Sequence, residues 1–193
     1  QIEIVSGFIR DFKRPQTLVI VDPVMGDHGR AYATCTPELC RDMKRLVTKA
    51  DIITPNLTEA CILTDMPYRP SGWKKTEITE LAKRLHELGP DRIVITGIRQ
   101  GEYIANFVYD RGENLQFLRT QKVGTERCGT GDLFASIVAA DAVNGVPFGR
   151  SVKRASQFIR RCILRSMELS IPTTDGVCFE EYLYLLHNRR KEE

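Results

Sequence analysis

The sequence predicts an α/β fold: a doubly wound, mostly parallel sheet with helices on both faces and a carboxy-terminal antiparallel hairpin within the sheet. Three observations carry that prediction. Short apolar runs at residues 17–21, 51–54 and 92–96 read as strands buried on both faces, the kind found in parallel sheets. Segments of helical periodicity alternate with them, as crossover connections require. Two further runs, 102–109 and 114–119, flank the turn Asp110-Arg111-Gly112-Glu113 and read as an antiparallel hairpin.

Ile2, Ile4, Val5 and Phe8 recur at helical spacing, and Pro15 closes that segment. The first strand ends in Asp22-Pro23. Residues 36–49 form an amphipathic helix with Thr36 as N-cap, Pro37 in the first helical position and Glu38 in the first turn. The second strand is followed by Pro55 and a helix over 56–63, and a helix over 76–88 follows a loop containing Pro67, Pro70 and Gly72. Gly89 is its expected C-cap and Pro90 its stop. After the hairpin come a glycine-rich loop from Gly124 to Gly131 and helices over 131–144, 149–168 and 178–189. No internal repeat or second domain boundary is visible, so residues 1–193 are expected to form a single domain.

The formal net charge of +3 is too small for a nucleic-acid-binding chain of this length. Lys153, Arg154, Arg160, Arg161 and Arg165 on one helix, and Arg189 to Lys191 at the tail, read as solvated basic faces. Six cysteines form no Cys-x-x-Cys pair and have no histidine beside them, which argues against zinc. Scattered single thiols point to a reducing compartment, hence the cytoplasm. No apolar run suffices for a membrane span. The chain starts at Gln1 within a helical pattern, so it is expected to be part of a longer polypeptide.

In an open parallel sheet, ligands bind beyond the carboxyl ends of the strands. Asp22, Thr54 and Thr96 each follow an apolar run there. Asp22-Pro23-Val24-Met25-Gly26-Asp27 places two carboxylates around a turn, able to hold Mg²⁺ or a monovalent cation, or simply to end a strand. In Thr54-Pro55-Asn56-Leu57-Thr58-Glu59, Glu59 either orders metal-bound water or reaches back as a helix cap. Cys128-Gly129-Thr130-Gly131-Asp132-Leu133-Phe134 opens a helix whose free N–H groups attract phosphate. Asp132 in the first turn suits a carboxylate base, and Gly131 is a candidate for positive φ. Gly124 and Gly129 have P-loop spacing, but Thr130-Gly131 replaces the required Lys-Ser/Thr, which disfavours a Walker-type site.

In order and spacing, the stretches Asp22 to Asp27, Thr54 to Glu59, Gly89 to Thr96 and Gly129 to Phe134 resemble the pyridoxal kinases, over about residues 15–165. These belong to the vitamin-kinase branch of the ribokinase-like superfamily. The same branch holds the hydroxymethylpyrimidine kinases, in which a Cys often follows Gly-Thr-Gly; here Asp132 does. The resemblance implies a ribokinase-like fold and ATP-dependent phosphorylation of the 5′-hydroxyl of pyridoxal and related vitamers. It implies ATP, Mg²⁺ and a monovalent cation such as K⁺ as cofactors, and a homodimer. Asp132 would be the catalytic base and the N–H groups of Gly129, Thr130 and Gly131 an anion hole. Asp22, Asn56 and Glu59 would line the phosphate and Mg²⁺ region, with Thr54, Thr96 and Gly97 near the phosphates or a monovalent cation and Asp27 beside the phosphate-facing turn. The family also carries a strand-rich amino-terminal segment that makes most vitamin-ring contacts. Residues 1–193 lack it, so on this reading they are not expected to be active alone.

Overall fold

Strand pairing begins at β1 (Ile20–Val21), which lies parallel to β4 (Ile52–Ile53), which in turn lies parallel to β5 (Arg92–Gln100). The computed structural model describes residues 1–187, and its main sheet has the order β1-β4-β5-β6-β7, with β6 at Tyr103–Asp110 and β7 at Asn114–Gln121. The chain divides into two compact units, Gln1–Arg119 and Thr120–Glu193.

In the first unit the helices are α1 (Ile2–Phe12), α2 (Pro37–Val47), α3 (Leu57–Thr64) and α4 (Lys75–Glu87). Ile52, Ile53, Ile93, Val94 and Ile95 are fully buried, as continuous apolar runs demand of strands covered on both faces. Phe107 is fully buried beside Phe117, with ring centroids 4.7 Å apart. α4 turns Ile78, Leu81, Ala82 and Leu85 inward at helical spacing, and all four are fully buried. Thr36 caps α2 by accepting the Leu39 N–H at 3.3 Å, and Pro37 stands at its start as the sequence predicts. α1 forms where expected, but none of its residues is buried, so its periodicity marks helix rather than core.

Four expectations need correction. The first paired strand covers only Ile20–Val21, because the chain before it meets Asp51 instead of a full ladder: the Val19 N–H donates to Asp51 Oδ2 at 2.7 Å. The predicted hairpin strands form as neighbouring β6 and β7, but a further hairpin that the sequence does not predict precedes them. β5 continues to Gln100 and pairs antiparallel with β6 around Gly101 (φ 60°). Its register slips between Ile95 and Ile98 at Gly97 (φ 74°), a bulge that glycine accommodates without strain. Finally, residues 26–31, read as loop, form a short antiparallel ribbon: β2 (Gly26–Asp27) pairs with β3 (Arg30–Ala31). His28 and Gly29 have φ of 52° and 78°, the paired positive values of a two-residue hairpin turn.

In the second unit α5 (Thr130–Val143) packs on α6 (Phe148–Glu168). α6 buries Phe148, Ser151, Val152, Ala155, Phe158, Cys162 and Ser166, a stripe at helical spacing. Two of its basic residues are paired: Arg154 Nη1 with buried Asp141 at 2.7 Å, and Arg165, which forks onto Glu181 at 2.7 and 3.3 Å. The fourth correction is here. The helix expected over 178–189 is a 3₁₀ segment, Glu180–Leu186, held to α6 by Arg165 and by Arg154 bonding the Leu186 carbonyl; positions 188–189 lie outside the described residues. Its i→i+3 bonds, such as Tyr182 N–H to Phe179 O at 3.0 Å, suit a segment tethered by ion pairs and leaving most of its residues exposed. No helix among the described residues is long and apolar enough to cross a membrane.

Candidate active site

Parallel pairing sets the ends of β1 and β4 beside the middle of β5, so Asp22 and Thr54 follow their strands, while Thr96, expected at a strand end, lies inside β5 just before its bulge. The Thr54 hydroxyl donates to Asp22 Oδ1 at 2.6 Å, and the Thr54 N–H to the Val21 carbonyl at 3.3 Å. Thr96 bridges to Asn56 in parallel fashion, its N–H donating to the Pro55 carbonyl at 2.9 Å. Gly97 at the bulge donates its N–H to Asn106 Oδ1 at 3.3 Å.

Glu59 joins the first two motifs. Asn56 caps α3 by accepting the Glu59 N–H at 2.9 Å, and Glu59 Oε2 accepts the Asn56 N–H at 2.8 Å, a complete capping box. Glu59 Oε1 also accepts the Met25 N–H at 3.1 Å, from the middle of the Asp22–Asp27 turn. The cap reading is therefore correct, but the carboxylate also clamps the turn to the helix. Two further bonds fasten the β2–β3 ribbon there: Asn56 Nδ2 to the Gly26 carbonyl at 2.8 Å, and the Gly29 N–H to Thr58 Oγ1 at 2.9 Å. Gly26 is required by this closeness, since a Cβ on it would run into the Arg30 carbonyl oxygen. Asp27, at the ribbon's edge, is exposed, and its Oδ1 accepts the His28 N–H at 2.7 Å.

Glu59 is 4% exposed. Burial pushes its carboxyl from 4.5 up to about 7, the nearby Asp22 charge adds to the rise, and backbone N–H bonds from Asn56 and Met25 oppose it. Two adjacent carboxylates, one buried and one half-buried, form a hard-oxygen donor set whose mutual repulsion a divalent cation would relieve.

Asn56→Ala removes both the cap and the Gly26 bond, and should lower stability by about 2 kcal/mol in urea unfolding. Asn56→Asp keeps the cap and loses the donor, so it should fall between. An Asp variant as stable as the parent would mean that the bond to Gly26 contributes nothing.

In the second unit, Gly129 is the N-cap of α5 with φ 78°, and the Leu133 N–H makes the first helical bond to its carbonyl at 3.1 Å. Positive φ thus falls at Gly129; Gly131 is helical, which corrects the expectation for it. Ideal Cβ atoms on Gly129 and Gly131 would meet nothing within 4 Å, so both backbones face open space. Asp132 lies exposed in the first turn. The loop is anchored by Arg127, which the sequence does not single out. Buried Arg127 donates from Nη1 to the Pro172 and Gly176 carbonyls, each at 3.1 Å, and its own carbonyl accepts the Thr130 hydroxyl at 3.1 Å.

The phosphomethylpyrimidine kinase family matches residues 1–174. Among curated relatives, the pyridoxine kinase of Bacillus subtilis is 31% identical over 156 residues, covering 79% of this chain and 56% of its own length. A crystal structure from Bacteroides thetaiotaomicron, described as a candidate phosphomethylpyrimidine kinase and solved with pyridoxal, is 34% identical with a TM-score of 0.91, over 96% of this chain and 66% of its own. The pyridoxal kinase of Leishmania donovani, solved with ADP and pyridoxine, is 25% identical with a TM-score of 0.76, over 95% of this chain and 62% of its own. The chain thus spans less than two thirds of the length of each of these three proteins.

Proposed function

The chain belongs to the phosphomethylpyrimidine kinase family, and we propose that it forms part of an ATP-dependent kinase that phosphorylates the 5′-hydroxyl of pyridoxal, pyridoxine and pyridoxamine. The observation that carries this choice within the family is Asp132, an exposed carboxylate directly after Gly129-Thr130-Gly131 at the start of α5. The pyridoxal and pyridoxine reported with similar structures support the same acceptor class. The ADP reported with one of them supports a nucleotide donor.

In this reading Asp132 accepts the proton of the acceptor hydroxyl as its oxygen attacks the terminal phosphoryl group. The N–H groups at the start of α5, from Gly129 to Asp132, face the negative charge of the moving phosphoryl. A helix start supplies such donors without reorganisation, and these glycines leave their backbone open to approach. Asp22, Asn56, Thr96 and Gly97 line the phosphate region, with Asp27 beside the turn. Mg²⁺, when bound, neutralises phosphate charge; Asp22, Glu59 and Thr54 would hold it or its water, and a monovalent cation such as K⁺ would lie near the same strand ends. Glu59 keeps the Asp22–Asp27 turn locked to α3, so that the phosphate-facing backbone is set before nucleotide arrives. A cytoplasmic homodimer goes with this reading.

The second reading is a hydroxymethylpyrimidine kinase, favoured by the family match itself. Parallel turnover assays on the full-length enzyme that carries these residues, with pyridoxal and hydroxymethylpyrimidine at equal ATP, decide between them. We expect the larger kcat/KM with pyridoxal. A larger value with the pyrimidine would overturn the choice of acceptor but leave the kinase assignment standing, and no ATP-dependent turnover of either would overturn both.

A further inference from the structure

Cys35 and Cys40 are in contact: their sulfurs stand 3.3 Å apart. They occupy the positions before the cap and four residues into α2, where a hydrophobic staple normally packs two apolar side chains. Here both members of the staple are thiols. Cys35 is buried in the core cluster, whereas Cys40 is half-buried and reachable from solvent. The other four cysteines are free as well, and Cys128 is exposed.

We propose that Cys35 and Cys40 form an oxidation site, a dithiol that hydrogen peroxide converts to an intrachain disulfide across the amino-terminal turn of α2. Cys40 reacts first, because it is the more accessible, and burial holds the Cys35 thiol in its protonated form. The Cys40 thiolate attacks the peroxide: the O–O bond breaks, an S–O bond forms, and the departing hydroxide takes up a proton to give water. The sulfur is oxidised by two electrons to the sulfenic acid, and the peroxide is reduced. The Cys35 sulfur then attacks the Cys40 sulfur. The S–S bond forms, the S–O bond breaks, and the hydroxyl leaves as a second water with the Cys35 proton. Closure needs a small approach of two sulfurs already in contact.

The bond would form close to the strand-end cluster. The Cys35 N–H donates to the Tyr32 carbonyl at 2.8 Å, the Tyr32 N–H to the Met25 carbonyl at 2.9 Å, and the Met25 N–H to Glu59 at 3.1 Å. The inference itself stands on the two sulfurs and does not depend on the proposed kinase reaction.

Trypsin releases both cysteines in one peptide, residues 31–41, which makes the test direct. The chain is treated with graded hydrogen peroxide, alkylated in denaturant with iodoacetamide, digested and weighed. The expected result is loss of both alkylation sites and of two hydrogens from this peptide, with both sites restored by dithiothreitol. Cys40→Ser should leave Cys35 fully alkylatable at the same dose. Cys35→Ser should leave a Cys40 sulfenic acid that dimedone captures. If the peptide keeps two alkylatable thiols at a dose that oxidises half of Cys128, or if Cys40 proceeds to sulfinic acid without closing, the inference fails. Because the readout is peptide mass, it holds whether or not either alcohol is turned over.

Discussion

In the full-length enzyme, Asp132→Asn is expected to lower turnover by about two to four orders of magnitude while leaving ATP affinity nearly unchanged. In free energy that is about 3–5 kcal/mol of lost transition-state stabilisation. Asparagine matches aspartate in shape and can still sit in the first turn of α5, so the helix start survives. What disappears is the ability to take a proton. A helix-start role alone predicts a much smaller effect: removing a negative charge from the first turn costs about 0.3–1 kcal/mol of stability and nothing in chemistry. The two roles therefore separate on measurement. Single-turnover kinetics and calorimetric ATP binding on parent and variant are sufficient, with Asp132→Glu as a partner that retains a base at altered reach. Near-normal turnover in Asp132→Asn would reduce this residue to part of the helix start.

The motifs at the strand ends were legible because they combine two local signals. An apolar run followed by a polar residue marks the carboxyl edge of a parallel strand, and Asn three residues before Glu marks a helix start. Thr54 to Glu59 carries both, and the structure places strand end and cap where that pattern puts them. The bond from Met25 to Glu59 was not legible, because it spans 34 residues and depends on how the turn folds back. The β2–β3 ribbon was missed for a related reason. Its strands have only two residues each, too few to show alternation, and its turn uses His28 at positive φ, a residue that seldom announces a turn. Arg127 was invisible because a buried arginine looks like a surface one until its carbonyl partners are known. The contact of Cys35 with Cys40 has no metal or disulfide spacing to mark it, and only their staple positions on either side of the Thr36 cap bring the two thiols together. The 3₁₀ segment at Glu180–Leu186 shows the limit of periodicity: apolar residues at helical spacing do not make an α-helix when ion pairs hold the segment.

The unfolding free energy should decline as pH rises from about 4.5 to about 7, and Glu59 should account for about 3 kcal/mol of that decline. The sign follows from where the proton is held more tightly. Burial raises the folded carboxyl to about 7 against 4.5 for the free side chain, so the folded chain keeps this proton after the unfolded chain has lost it. Stability attributable to Glu59 is thus greatest below the unfolded value, falls between the two, and carries its full penalty above about 7. The penalty is tolerated because two backbone N–H groups, from Met25 and Asn56, end on its oxygens. Glu59→Gln removes the titration. Even protonated, the carboxyl offers two oxygens to these N–H groups, whereas the amide offers one oxygen and a donor, so this variant should be less stable by about 1–3 kcal/mol below pH 5. Its stability should then change less with pH than the parent's, and the difference between the two curves isolates Glu59 from every other titrating group. If Mg²⁺ is held beside Asp22 and Glu59, it favours the ionised carboxylate and should stabilise the parent more at pH 8 than at pH 5, an asymmetry absent from Glu59→Gln. Urea unfolding at a series of pH values, with and without Mg²⁺, measures all of this. Parallel parent and Glu59→Gln curves would mean that the Glu59 carboxyl titrates alike in the folded and unfolded chains, that the N–H bonds fully offset burial, and that no cation is needed to hold its charge in the fold.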